Sequence, residues 1–216
     1  MTPVVAVDGP TASGKGTLAR RLAADLGFAY LDTGGLYRAT ALRLIRAGED
    51  GSDVDAAVAA AQGITPGDLS DPALREEATG NMASKVAALQ PVRDALFAFQ
   101  QAFALTPPDG AAGAVLDGRD IGTVVCPDAT AKLFVTATAA ARAARRHAEL
   151  VARGTDVTLE NVLQDLRARD ERDTNRATSP LKPAADADLL DTTELDIEAA
   201  FFAARKLVTA RLERQA

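Results

Sequence analysis

The sequence predicts an α/β fold: a three-layer α/β/α sandwich around a five-stranded parallel sheet. Three observations lead there. Short apolar runs alternate with longer segments of helical periodicity, the order that builds parallel strands through helical crossovers. The first apolar run, Val4-Val5-Ala6-Val7, passes directly into a glycine-rich turn and then into a helical pattern, the context of a phosphate-binding loop. The chain has 216 residues, 47% of them apolar, which suits one domain with an ordinary core and room for a mobile insertion.

Val4 to Asp8 reads as a buried strand, and Leu18, Leu22 and Leu26 follow at helical spacing until Gly27 closes the helix. Phe28 to Leu31 is the second strand, and a helix from about Gly35 to Arg46 ends at Gly48. Residues 49 to 71 are rich in Asp, Gly and Ala with weak periodicity, and suggest a helix-bearing insertion. Helices are expected around 72–89 and 91–105, the second with Pro91 in its first turn and Val92, Leu96, Phe99 and Phe103 on its buried face. Ala114–Asp117, Ala131–Val135 and Leu189-Leu190 complete the strands. Helices over about 139–152 and 159–176 precede a break at Ser179-Pro180-Leu181-Lys182-Pro183, and the last helix aligns Ile197, Phe201, Ala204, Val208 and Leu212. The expected division is a core of about 1–48, 106–150 and 184–216, an insertion at 49–105 that holds a monophosphate, and a lid at 151–183.

The glycine-rich turn is Asp8-Gly9-Pro10-Thr11-Ala12-Ser13-Gly14-Lys15-Gly16-Thr17. Gly9 and Gly14 permit backbone angles that let the amides of residues 9–17 curl around an anion. The helix opening near Lys15 adds its N-terminal amides and dipole, and Lys15 adds a point charge for terminal phosphates. The commoner template places Ser or Thr directly after the lysine. Here Gly16 stands there and the hydroxyl follows at Thr17. The competing reading is a plain glycine turn with a surface lysine.

Ligands in such sheets bind at the carboxyl ends of the strands. After the second strand comes Asp32-Thr33-Gly34-Gly35-Leu36-Tyr37-Arg38, where the Thr33 hydroxyl and the Arg38 guanidinium can donate to one phosphate. The alternative makes Thr33 a helix cap and Arg38 a surface charge. After the third strand comes Asp117-Gly118-Arg119-Asp120. Asp117 is placed to hold the water shell of Mg²⁺, and Arg119 to bridge an acceptor phosphate. Farther on, Arg169, Arg172 and Arg176 recur at three and four residues and are expected on one helix face, as a lid over a transferring phosphoryl group. The rival is a solvated helix pairing Asp165 with Arg169 and Arg169 with Asp173. His147 reads as a surface residue and Cys126 as a small buried one.

Composition narrows the classes. A net charge of −6 argues against a general binder of nucleic acid polymers, which needs a basic surface. A single cysteine permits no intrachain disulfide and fits a reducing cytoplasm. Three residues before the first strand leave no room for a signal peptide. Lys132 and Arg142 interrupt the longest apolar stretch, so no membrane span is expected.

Taken in order, Asp8-Gly9-Pro10 through Gly14-Lys15-Gly16-Thr17, Leu31 through Arg38, Asp117-Gly118-Arg119-Asp120-Ile121-Gly122-Thr123-Val124-Val125, Arg169 through Arg176, and Pro183-Ala184-Ala185-Asp186-Ala187 resemble the bacterial cytidylate kinases of the P-loop kinase fold. The resemblance spans nearly the whole chain. It departs at 49–75, where that family commonly carries a longer insertion with a small sheet. The resemblance implies transfer from ATP to CMP or dCMP in pyrimidine nucleotide metabolism, with Mg²⁺ carried on ATP, in a cytoplasmic monomer. It implies Ser84, Arg93 and Asp120 as readers of cytosine, and Arg169 and Asp173 as ribose contacts. Thr33, Arg38, Arg119 and Arg176 are implied as monophosphate contacts. Lys15, Arg119, Arg172 and Arg176 are then the charge-neutralising catalytic set, with Thr17 and Asp117 near the metal, mainly through water. The rivals are a P-loop kinase for AMP, UMP or a small metabolite, and a GTPase-type switch, against which the chain lacks an Asn-Lys-x-Asp run.

Overall fold

The computed structural model describes residues 2–214. Five strands, β1 (Val4–Asp8), β2 (Ala29–Asp32), β3 (Ala114–Gly118), β4 (Ala131–Thr136) and β5 (Asp188–Asp191), form one sheet in the order β2-β3-β1-β4-β5. Every pairing is parallel, as expected from the alternation of strands and helices. The helices are α1 (Lys15–Leu26), α2 (Thr33–Ala47), α3 (Val54–Gln62), α4 (Glu77–Val86), α5 (Gln90–Leu105), α6 (Ala139–Ala152), α7 (Leu159–Asn175) and α8 (Ile197–Leu212).

Strand alternation explains the two covered faces. Val5 and Val7 of β1 point into a core with Leu18 and Leu22 of α1 and Phe201, Ala204 and Val208 of α8. Val4 and Ala6 point the other way, against Ala104 of α5 and the single wide turn Ile121–Val125. A strand buried on both faces must be almost continuously apolar, and β1 is from Val4 to Val7; its last residue, buried Asp8, accepts from the Ile121 and Gly122 amides at 2.8 Å. β3 and β4 flank β1 on opposite sides, so its carboxyl end is the point where the winding of the sheet reverses, and the phosphate loop starts there.

A second core joins α2 to α3, α4 and α5 through Leu36, Leu44, Ala57, Val86, Val92 and Leu96. A smaller one joins α6 to α7 through Ala143, Leu150, Val162 and Leu166. The weakly periodic segment 49–71 contains α3 and the short 3-10 helix Pro66–Ser70. No strand occurs between α2 and α5 among the described residues. The helix expected from residue 72 starts later: Pro72–Arg75 is a separate 3-10 turn, capped by Asp71, before α4 begins. The expected faces also shift. On α5 the buried line runs Val92, Leu96, Gln100, Ala104, while Phe99 is 50% exposed. Gln100 is accommodated there because its amide donates to the Leu96 carbonyl. Ile197 opens α8 from the surface instead of the core.

Candidate active site

The phosphate loop is shaped by two positions that need glycine and one that does not have it. Gly9 has φ 151°, and a Cβ there would lie 2.0 Å from the Val135 carbonyl oxygen. Gly14 (φ 87°) caps α1 in the left-handed region, and Ala12 holds φ 61° despite its Cβ. Alternating backbone hand turns successive amides toward one point, which is an anion cradle. Gly9→Ala forces β1 away from β4 or unwinds the loop. The loss should exceed the roughly 1–3 kcal/mol of a strained φ alone, read as a lower Tm together with weaker ATP binding.

The cradle opens into a cavity of about 410 Å³ whose wall includes Lys15, Arg38, Asp117, Arg119, Asp120 and Arg169. Burial, and next the Arg119 guanidinium, bring the Lys15 ammonium down to about 8. Burial pushes the Asp117 carboxyl up to about 6, against the pull of Lys15. Arg119 donates from Nε to Asp173 at 3.0 Å and from Nη2 to the Thr11 hydroxyl at 2.7 Å. Arg38 is anchored by the Leu74 carbonyl at 2.7 Å. Arg169 is buried, and burial followed by repulsion from Arg119 and Arg38 lowers its guanidinium to about 9. The Nε of Arg169, Nη2 of Arg176 and the Ser13 hydroxyl lack a hydrogen-bond partner among the described residues. Two buried guanidinium donors without acceptors, on a wall crowded with cations, make a site that calls for an anion.

On the same cavity wall, Arg93 donates to Asp120, both side chains being buried, and Arg176 lies 3.7 Å from the same carboxylate. Ser84 donates to Asp173 at 2.9 Å, joining α4 to α7. Burial opposes the ionised form of Asp173, but Arg119 and Arg169 prevail and hold it below the usual carboxylate range.

Most predicted site residues meet around this space; of the loop, Gly9, Pro10, Ser13 and Gly14 do not line it, and three further residues do not sit as expected. Thr17 is exposed and apart from the cavity wall. Arg172 is exposed and also off the wall, so Arg169, Arg172 and Arg176 do not share one face. At about 100° per residue, Asp173 lies about 40° from Arg169 while Arg172 lies about 60° to the other side. The inner face is fixed by Val162 and Leu166, which favour Arg169 and Asp173. Thr33 is buried on the wall, yet its hydroxyl proton goes to the Asp117 carbonyl at 2.6 Å. The cap of α2 is Asp32, which accepts from the Gly35 amide at 3.0 Å. The solvated-helix alternative for α7 also fails: Asp173 pairs with Arg119, and Asp170 with Arg142. His147, expected on the surface, is half-buried and sits 3.0 Å from the carbonyl of Val157, a residue of the cavity wall, without lining the cavity itself. Burial pushes the Cys126 thiol up to about 11.

Sequence reasoning missed Tyr30 and Arg142. Tyr30 donates to Asp117 Oδ2 at 3.1 Å. A Cβ on residue 16 would lie 3.0 Å from that same Oδ2, which accounts for Gly16 where Ser or Thr is commoner. Asp117 and Asp32 share the wall beside Lys15 and Gly16. Among the described residues no group of three or more His, Cys, Asp or Glu could enclose a metal. Two carboxylates next to a phosphate cradle fit a hydrated Mg²⁺ that takes further oxygens from substrate, and do not form a closed protein cage.

Comparison with known proteins agrees with this geometry. The pattern describing the family Cytidylate kinase matches residues 5–208. A protein named cytidylate kinase from Paramagnetospirillum magneticum is 56% identical over 98% of this chain and 100% of its own length. One of the same name from Rhodospirillum rubrum is 52% identical over 98% of this chain and 99% of its own. A crystal structure of an uncharacterized protein from Eubacterium ventriosum superposes with TM-score 0.57 over 97% of this chain and 99% of that one; at 14% identity this is a likeness of fold. The fold, the family match and these relatives together make the chain a nucleoside monophosphate kinase. The chain belongs to the cytidylate kinase family. No helix among the described residues is long and apolar enough to cross a membrane.

Proposed function

We infer that the chain transfers the terminal phosphoryl group of ATP to CMP or dCMP, giving ADP and CDP or dCDP, a step of pyrimidine nucleotide metabolism. The carrying observation is one cavity lined both by Lys15 with residues of the glycine loop and by the Arg93–Asp120 pair. Such a cavity aligns a donor tail and an acceptor head, and phosphoryl transfer asks mainly for alignment, charge neutralisation and exclusion of water.

Residues 9–17 cradle the ATP phosphates, with Lys15 supplying the nearest charge. Arg38, Arg119, Arg169 and Arg176 surround the acceptor phosphate. Arg119 suits the position between the two nucleotides, because it is already tied to Thr11 on the donor side and to Asp173 on the acceptor side. Asp120 accepts from the cytosine amino group, while Arg93 and Ser84 donate to the ring nitrogen and carbonyl. Arg169 and Asp173 take the ribose. Asp117, steadied by Tyr30, and Asp32 hold Mg²⁺ through water. Bound there, Mg²⁺ would supply positive charge that offsets the charge of the donor phosphates. Residues 49–105 form the monophosphate-binding insertion and 151–183 the lid. The site as assigned requires no residue from a second copy, which is compatible with a monomer. The single half-buried thiol supports a cytoplasmic setting.

A coupled assay with ATP and each monophosphate tests the reading. CMP and dCMP are expected to give the highest kcat/KM. UMP or AMP exceeding CMP by about tenfold, or ATP turnover that needs no acceptor, would overturn it.

A further inference from the structure

The guanidinium of Arg142 is buried, yet it lies outside the substrate cavity. Four hydrogen bonds tie it to three different segments. Nε donates to the Ala137 carbonyl at the end of β4, at 3.0 Å. Nη1 donates to the Thr11 carbonyl of the phosphate loop, at 3.1 Å. Nη1 and Nη2 fork onto the two oxygens of Asp170 on α7, at 3.1 and 2.5 Å.

These bonds close a ring. From Thr11 it runs through Arg142 to Asp170, along one turn of α7 to Asp173, through Arg119, and back to the Thr11 hydroxyl. A planar fork held at both ends permits one distance and one orientation between its partners, which a flexible ammonium does not. The lid helix is therefore fixed to the donor loop twice. One tie is Arg119, on the cavity wall. The other, Arg142–Asp170, does not line the cavity.

We propose that Arg142 and Asp170 are positioning residues for phosphoryl transfer: they lock the lid helix to the phosphate loop, so that Arg169 and Asp173 stand in register with the donor phosphates and water is kept out. Neither side chain touches substrate. This rests on the phosphoryl-transfer reading above. A displaced lid helix weakens interactions made in the transition state more than those that hold ATP in the ground state, so kcat falls while KM for ATP stays nearly constant. It also admits water, so a larger share of ATP is hydrolysed per CMP phosphorylated.

Asp170→Asn keeps shape and removes the charge, and the Asp170 side chain is 25% exposed, so folding tolerates the change better than loss of the buried arginine. The expected result is a fall in kcat of about tenfold or more, KM for ATP within about threefold, and a severalfold rise in the ratio of ATP hydrolysis to CMP phosphorylation. Asp170→Glu, which can still reach Arg142, should restore most of kcat and return the ratio. Arg142→Lys combined with Asp170→Asn should be no worse than the poorer single variant, since both break the same link. Asp170→Asn with kcat within about twofold of wild type overturns the proposal. So does a fall in kcat with an unchanged hydrolysis ratio that Asp170→Glu fails to reverse. Wild type assayed alongside separates the two levels. Transfer to CMP by wild type with no change of ratio in Asp170→Asn removes the positioning role alone, whereas no transfer by wild type removes the reading beneath it.

Discussion

Lys15→Met is expected to lower kcat by about 10³-fold or more, because it deletes the positive charge closest to the donor phosphates inside a water-poor cavity. The methionine stem occupies the lysine's volume, so the fold is kept. Stability should even hold or rise at neutral pH. Lys15 is brought from 10.5 down to about 8 in the folded chain, so its ammonium is disfavoured there relative to the unfolded chain. That penalty is fully present below about 8 and is relieved as pH rises toward 10.5, the range in which the folded chain sheds the proton and the unfolded chain retains it. A variant that is inactive, unaltered in Tm and weakened for ATP therefore reports lost charge and not lost fold. The same shift predicts an alkaline limb near pH 8 in kcat/KM for ATP, which reports the free enzyme. Bound phosphates favour the ammonium, so kcat should hold to higher pH. An unchanged kcat in Lys15→Met would remove the phosphate loop from the mechanism.

The contrast between loop and lid explains what the sequence could reveal. The loop is local: strand, glycines, lysine and helix follow one another, and their backbone geometry is dictated by neighbours in the chain. Gly9 needs its hydrogen because of Val135, a contact across more than a hundred residues, yet the glycine itself is visible in the sequence. The sheet was legible for a similar reason, since a strand covered on both faces leaves an unbroken apolar run. The lid was legible in charge but not in direction. Arg169 and Arg172 are the same residue type on one helix, and Val162 and Leu166 packing on α6 decides which turns inward. Arg142 looks like Arg145 and Arg146 beside it in an alanine-rich helix. Only the third dimension brings Thr11, Ala137 and Asp170 around it. Thr17 illustrates the reverse error: it stands one residue beyond the common loop's hydroxyl and is exposed there, off the cavity wall, while Asp117 and Tyr30 fill the space beside Gly16.

The second large effect concerns which base is accepted. Asp120→Asn is expected to move the preference from CMP toward UMP by about tenfold or more, the size of one buried donor–acceptor mismatch, about 1–3 kcal/mol. Ionised Asp120 offers acceptors only, so it matches the amino group of cytosine and repels the carbonyl that uracil carries at the same place. An asparagine amide presents a donor to that carbonyl. The substitution has a structural price as well, because Asp120 is the partner of buried Arg93 and lies 3.7 Å from Arg176. Removing one side of a buried ion pair costs about 3–5 kcal/mol when the other side is left alone. Tm should therefore fall, and Arg93→Met added to Asp120→Asn should recover part of it, since the stranded guanidinium goes with the mutation. The two consequences are separable. Stability is read without nucleotide, and specificity as the ratio of kcat/KM for CMP and UMP measured on the same preparation, in which the unfolded fraction cancels. A ratio unchanged in Asp120→Asn, with ATP affinity reduced as much as CMP affinity, would move Asp120 from base recognition to general support of the arginine cluster.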